Sequence, residues 1–302
     1  MWHEMLWPLA AAQQSMDLVN RQMLASQCRL LRDYLNELNT NCRLPHDIEL
    51  MTLDINGRAA ELLSPKGSPT QRYMLYLHGG GFALGSLDTH RELAMAFARH
   101  ADARVLAIDY RLAPDYPWPA GLEDALAACH WLLEQGVTPE RLAIGGDSAG
   151  GGLAVSLLQS LRREGHRQPA ACVLLSPWVD LSCSSPSMDL NAATDPLLNR
   201  VQMRAFAELY AGKQPLDSPA ISPLFGDLQG LAPLHVQVSL QEVLRDDARR
   251  LVQGVQQQGG RAEIKETAWM PHVWQLLYRY LPQAASSVRQ ASRFIKAFTA
   301  AA

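Results

Sequence analysis

The chain has 302 residues, 27 of them basic and 30 acidic for a formal net charge of −3, with 48% hydrophobic and 19% charged side chains. That apolar content excludes a disordered chain, and 20 Gly and 18 Pro exclude a collagen-like or low-complexity one. The slightly acidic balance carries no basic stripe, which excludes an electrostatic nucleic-acid binder, and no stretch approaches the roughly 18 apolar residues that cross a bilayer.

This length fits one large α/β core with a small appendage. Five cysteines (Cys28, Cys42, Cys129, Cys172 and Cys183) are scattered without any C-x-x-C spacing. That pattern fits neither a disulfide framework nor a zinc site, and it points to a reducing compartment. The N-terminal stretch has Trp2, Leu6, Trp7 and Leu9, but begins with His3 and Glu4 and is broken by Pro8. It lacks the design of a signal peptide, so a cytoplasmic protein is expected.

Residues 17–38 carry Leu18, Val19, Met23, Leu24, Leu30, Leu31, Leu35 and Leu38 at spacings that predict one or two helices with an apolar stripe. Residues 47–64 then predict a hairpin, because Asn56-Gly57 supplies the positive φ angles of a two-residue turn. From residue 72 onward, short apolar runs at 72–78, 104–110, 141–145, 171–176 and 234–240 alternate with helical stretches at 89–101, 121–135 and 149–164. Runs of this kind are strands buried on both faces of a parallel sheet, so the expected fold class is α/β with helices on both faces and an antiparallel start. Residues 182–212, with a helix-like segment at 197–210, interrupt the alternation and predict an excursion above the sheet.

Two glycine motifs follow predicted strands. Gly146-Asp147-Ser148-Ala149-Gly150 is a G-x-S-x-G between a strand and a helix, the context in which Ser148 is presented on a strained turn as a nucleophile. A phosphate-binding helix start is the alternative. His78-Gly79-Gly80-Gly81-Phe82 can turn amide hydrogens into a cleft, as the stabilisation of a tetrahedral oxyanion requires. It lacks the Gly-Lys-Ser/Thr ending of a phosphate loop.

A nucleophilic Ser in such a sheet takes its partners in the chain order Ser, acid, His. Of the histidines after Ser148, His166 sits in a polar helix-end loop and His235 inside a strand, which leaves His272 in the turn Met270-Pro271-His272-Val273-Trp274. Three carboxylates, Glu242, Asp246 and Asp247, follow the 234–240 strand. Glu242 is nearest its end and is the preferred acid, while Asp246 and Asp247 fall where acidic residues cap a helix. Asp180, Asp189 and Asp195 precede that strand and are weaker candidates.

These motifs, with Tyr110-Arg111-Leu112-Ala113-Pro114-Asp115-Tyr116-Pro117-Trp118-Pro119-Ala120 and Leu244-Arg245-Asp246-Asp247, resemble the hormone-sensitive-lipase-like bacterial carboxylesterases of the α/β-hydrolase superfamily. The resemblance spans nearly the whole chain. It implies a catalytic domain at 46–302 and a helical cap built from an N-terminal segment, 1–45, and an insertion, 182–212. It also implies an oxyanion hole of the Gly80, Gly81 and Ala149 amides, a small-molecule ester substrate and a frequent homodimer; the chemistry itself needs no cofactor or metal, and no ligand cluster in the sequence suggests one. The family usually has Asp where this chain has Glu242. Phe82, Leu84 and Trp178 are the expected substrate-binding residues, fitting short to medium acyl chains. The alternatives are an interfacial lipase using Trp2, Leu6 and Trp7, an amidase, and a non-catalytic binding protein like the gibberellin receptors, which lack the histidine base.

Overall fold

The structure, a computed structural model, describes residues 18–39 and 42–300. Residues 1–17 of the cap segment expected at 1–45, with Trp2, Leu6 and Trp7, lie outside these residues. Strands β1 (Ile48–Ile55) and β2 (Arg58–Pro65) form the expected hairpin around Asn56-Gly57, both at positive φ. Then come β3 (Tyr73–Leu77), β4 (Arg104–Ile108), β5 (Leu142–Asp147), β6 (Ala171–Leu175), β7 (Leu234–Ser239) and β8 (Ala262–Thr267). They make one eight-stranded sheet in the order β1-β2-β4-β3-β5-β6-β7-β8, antiparallel through β1, β2 and β4 and parallel from β4 to β8.

The helices are α1 (Leu18–Asn39), α2 (Leu87–Ala101), α3 (Ala120–Glu134), α4 (Ser148–Arg163), α5 (Ser187–Leu190), α6 (Arg200–Ala211), α7 (Arg245–Gln257) and α8 (Pro282–Phe298). Alternate residues of the central strands divide between two cores, which is why both faces of each strand are apolar. Leu75, Leu77, Ile144 and Leu174 meet α3, α4 and α7 on one face; Met74, Tyr76, Ala143 and Val173 meet α2 and α8 on the other. Among the described residues, no helix is long and apolar enough to cross a membrane.

Parallel register sets the functional edge. Leu77 pairs with Gly146 and Asp147 with Leu175, so the loops that leave the C-terminal ends of β3, β5 and β6 emerge side by side. Ser239 pairs with Thr267, which brings the loops after β7 and β8 to the same edge. In open α/β sheets this is where ligands bind.

Two further pieces rest on that edge. Helix α1 buries Leu24, Cys28 and Leu35, and its Arg32 guanidinium donates to the carbonyls of Ala83 (2.8 Å) and Ala113 (2.9 Å) while Arg29 pairs with Asp115 (2.6 Å). The excursion after β6 carries α5 and α6, the latter capped by the Asn199 side chain accepting from the Gln202 amide. Its root is fastened by Asp247 in the first turn of α7. That buried carboxylate accepts from the amides of Val179 (3.1 Å) and Asp180 (3.0 Å) and from the Ser185 hydroxyl (2.5 Å).

Asp247→Ala strands two buried amides at about 1–3 kcal/mol each. It is expected to lower the unfolding free energy by about 3 kcal/mol in urea denaturation, whereas an unchanged midpoint would show that Asp247 does not hold the excursion's root.

Candidate active site

Ser148 sits where β5 turns into α4, with a left-handed φ of 50°. The turn is tight because the neighbouring chain passes close by. A Cβ on Gly150 would lie 2.1 Å from the Leu77 carbonyl oxygen, and one on Gly146 would lie 2.4 Å from that of Gly150. Only glycine fits at either end of the G-x-S-x-G, and the Ser148 side chain is thereby lifted over the sheet edge.

His272 Nε2 lies 2.9 Å from Ser148 Oγ, and its Nδ1 lies 2.6 Å from Glu242 Oε2. With the carboxylate on Nδ1, that nitrogen carries the proton and Nε2 is free to accept from the hydroxyl; the tautomer is assigned from this network. Glu242 is 1% exposed, and its other oxygen accepts from the Ser239 amide (2.5 Å) and the Ser176 hydroxyl (2.8 Å). The His272 turn is pinned by Ser239 Oγ donating to the Met270 carbonyl (2.6 Å) and by the Val273 amide donating to Ser176 Oγ (3.4 Å). Burial lowers the imidazole pKa, but the hydrogen bond and charge of Glu242, then the charges of Asp195 and Asp147, outweigh it and raise it above 6.5. A hydroxyl facing a neutral imidazole backed by a buried carboxylate can attack an electrophilic carbon.

The other candidate acids are engaged elsewhere. Asp247 holds the excursion, and burial, followed by the charge of Asp180, pushes its carboxyl up to about 7. Asp246 pairs with Arg245 (2.9 Å) and Arg249 (3.3 Å), Asp180 with Arg250 (2.8 Å) and Asp189 with Arg200 (2.8 Å). Asp195 accepts from the Val243 amide at 2.8 Å.

The loop after β3 runs beside this group. Gly80 has φ 119°, reachable only without a side chain, and Gly81 and Phe82 are left-handed at 62° and 60°. Among the described residues, the amides of Gly80 and Gly81 donate to no protein acceptor. The Ala149 amide, in the first turn of α4, has no carbonyl four residues back within the helix. Three N–H groups are therefore available at one edge.

The groups that hold this loop in place carry no signal in the local sequence pattern. Asp147 Oδ1 accepts from the Gly79 amide (3.1 Å) and the Tyr76 hydroxyl (2.7 Å), and Oδ2 lies 3.4 Å from His90 Nε2. Burial pushes this carboxyl up, but His90 and the Tyr76 hydrogen bond prevail and hold it below the ordinary carboxylate range. His78 stacks on Tyr110 and bonds its own loop through Nδ1 and the Gly79 carbonyl (2.8 Å); burial, then His90, pushes its pKa down to about 3, so it is neutral. An acidic residue inside G-x-S-x-G was visible, but its partners lie 57 or more residues away in the chain.

The three expected substrate-binding residues are all buried. Phe82 stacks on Tyr210 of α6 with ring centroids 3.8 Å apart, and Trp178, which has no exposed surface, backs Phe82 at 5.8 Å. Leu84 folds back so that its amide donates to the Gly80 carbonyl at 2.8 Å. Another aromatic, Phe206 of α6, presses on the loop, its ring 2.9 Å from where a Gly81 Cβ would be.

A family model described as the alpha/beta hydrolase fold matches residues 74–276. An acetyl-hydrolase of Streptomyces hygroscopicus is 46% identical over 229 residues, 76% of each chain, and an esterase of Acinetobacter venetianus is 34% identical over 269 residues, 87% of each. Among solved structures, an esterase of the bacterial hormone-sensitive lipase family aligns over 99% of this chain and 97% of its own at 39% identity and a TM-score of 0.84. The esterase EstE5, soaked with p-nitrophenyl butyrate, aligns over 98% of this chain and 96% of its own at 32% identity and a TM-score of 0.85. With its strand order, its elbow serine and its glycine loop, the chain belongs to the α/β-hydrolase fold family, among the hormone-sensitive-lipase-like carboxylesterases.

Proposed function

We propose that this carboxylesterase cleaves small, short- to medium-chain acyl esters with Ser148 as nucleophile, His272 as base and Glu242 as its orienting acid. The observation that carries the reading is the unbroken relay from Ser148 Oγ to His272 Nε2 (2.9 Å) and from His272 Nδ1 to Glu242 Oε2 (2.6 Å). Ser148 Oγ attacks the ester carbonyl as Nε2 takes its proton, and Glu242 stabilises the imidazolium. The tetrahedral oxyanion rests on the amides of Gly80, Gly81 and Ala149. His272 returns the proton to the departing alkoxide, leaving an acyl-enzyme. Water, deprotonated by the same imidazole, then releases the acid and restores Ser148.

Substrate size follows from what crowds the loop. Phe206 against Gly81 and the Phe82–Tyr210 stack leave little depth beside the amides, which supports short acyl chains over emulsified triglycerides. An acetyl-hydrolase among its relatives and a neighbour soaked with p-nitrophenyl butyrate support the same range. In this reading α1 and residues 182–212 are the cap, since both pack on the loop that follows β3. Five free thiols, four of them buried, support a cytoplasmic location, and the family resemblance supports a homodimer.

Ser148→Ala is expected to lower kcat on p-nitrophenyl acetate by a factor on the order of 10⁶ with an unchanged thermal midpoint; near-normal turnover would refute the mechanism. Because the base must be neutral and its pKa is raised, kcat/KM should rise with pH through a midpoint above 6.5. Glu242→Gln should cost about 10⁴-fold in kcat, as loss of the correct tautomer does in a Ser-His-Asp site. It also removes the largest influences that raise the imidazole pKa, so the acid limb should move to lower pH; a limb that stayed in place would assign that titration to another group.

A further inference from the structure

At the far end of α4, Glu164 and His166, two positions apart in the chain, converge with the remote His130. Glu164 is the C-cap residue of α4, and Gly165, at φ 79°, reverses the chain so that His166 folds back, its amide donating to the Leu161 carbonyl at 2.9 Å. From the neighbouring α3, His130 points at the same spot. His130 Nε2 is 3.1 Å and His166 Nε2 is 3.6 Å from a single oxygen, Glu164 Oε2, and the two imidazole rings are 5.2 Å apart and tilted by 50°. The donor atoms of all three lie within 4.8 Å of one another.

We propose that His130, Glu164 and His166 form a surface site for a divalent transition-metal ion of the zinc class. Two imidazole nitrogens and one carboxylate oxygen are a donor set suited to Zn²⁺, Ni²⁺ or Cu²⁺ and poor for Mg²⁺ or Ca²⁺, which prefer oxygen. Ligands about 2.0–2.2 Å from a tetrahedral ion stand about 3.3–3.6 Å from one another, so the observed separations close on an ion with small side-chain rotations. The side chains are between 36% and 44% exposed, which leaves water as a fourth ligand and an open path of entry. The C-terminal end of α4 lies at the cluster and that of α3 one turn beyond it, so their dipoles favour a cation. Nearby arginines are turned to other partners: Arg162 to Asp227 (2.7 Å), Arg163 to the Ser160 hydroxyl (2.8 Å), and Arg167 to Glu140. An ion here would clasp α3 to α4 about 24 Å from Ser148, the length of a 16-residue helix, and so would leave ester hydrolysis untouched.

Zinc titrated into the full chain by isothermal calorimetry tests the site, with His130→Ala, His166→Ala and Glu164→Gln alongside. The wild type should bind one Zn²⁺ more tightly than any other, and each histidine variant should weaken that event by about tenfold or more while ester turnover stays at the wild-type level. Mg²⁺ should give no corresponding heat. If an alanine variant loses its helical circular-dichroism spectrum, His130→Gln and His166→Gln, which keep volume and polarity, take its place. Isotherms that coincide between the wild type and either histidine variant, or a wild type without a one-to-one event, would overturn the site and leave an exposed His-Glu pair.

Discussion

The left-handed backbone of Ser148 is the constraint on which the rest of the structure depends. A non-glycine residue held in this region costs about 1–3 kcal/mol and persists only where its surroundings fix it. Here they do: Leu77 pairs with Gly146 across the parallel register, and the carbonyls of Leu77 and His78 pass within 2.4 Å of where a Gly150 Cβ would be. The sheet cannot relax the turn without opening its own centre, between two buried strands. The strain is therefore stored in the most rigid part of the molecule, and what it achieves is the placement of one hydroxyl.

Asp147 extends that rigidity to the neighbouring loop. It belongs to the elbow by sequence and to the glycine loop by hydrogen bonding, because its carboxylate accepts from the Gly79 amide while Tyr76 and His90 hold it from the opposite core. A buried carboxylate is expensive unless every lone pair is served, and a fully served one is correspondingly hard to move. The proposed nucleophile and the proposed oxyanion donors are thus set relative to each other by one side chain, and they shift together or not at all.

The strands β3 to β7 and the long helices between them were legible in the chain because those apolar runs are continuous on both faces and each glycine motif stands at a strand end. Ser148 and His272 were legible for the same reason, since chain order prunes the alternatives. Glu242 was less so: three carboxylates within six residues all fit the spacing, and only the direction of the loop after β7 separates an acid under His272 from Asp246, which pairs with arginines, and Asp247, which fastens the excursion. What the sequence could not give is contact between remote segments. His130 and His166 are 36 positions apart and unremarkable singly; they meet because α3 and α4 pack side by side and Gly165 reverses the chain.

The segment 110–120 identified the family in the sequence without suggesting any chemistry, and its contacts explain why. The Tyr110 hydroxyl donates to the His78 carbonyl at 2.6 Å, Arg111 is fixed by Asp124, Asp115 receives Arg29, and the Trp118 amide donates to the Tyr210 carbonyl at 2.8 Å. Every one of these partners lies in a different element: the glycine loop, α3, α1 and α6. The segment is a junction where the sheet edge, the N-terminal helix and the excursion are tied together, and Arg32 doubles the tie by reaching the carbonyls of Ala83 and Ala113 at once. The Arg29–Asp115 pair is exposed and screened by solvent, so the apolar contacts of Leu24, Cys28 and Leu35 supply most of the adhesion and the polar contacts fix its register. A motif with no reacting group can therefore be as diagnostic as the nucleophile turn, because it specifies how the covering helices meet the edge on which the chemistry is arranged.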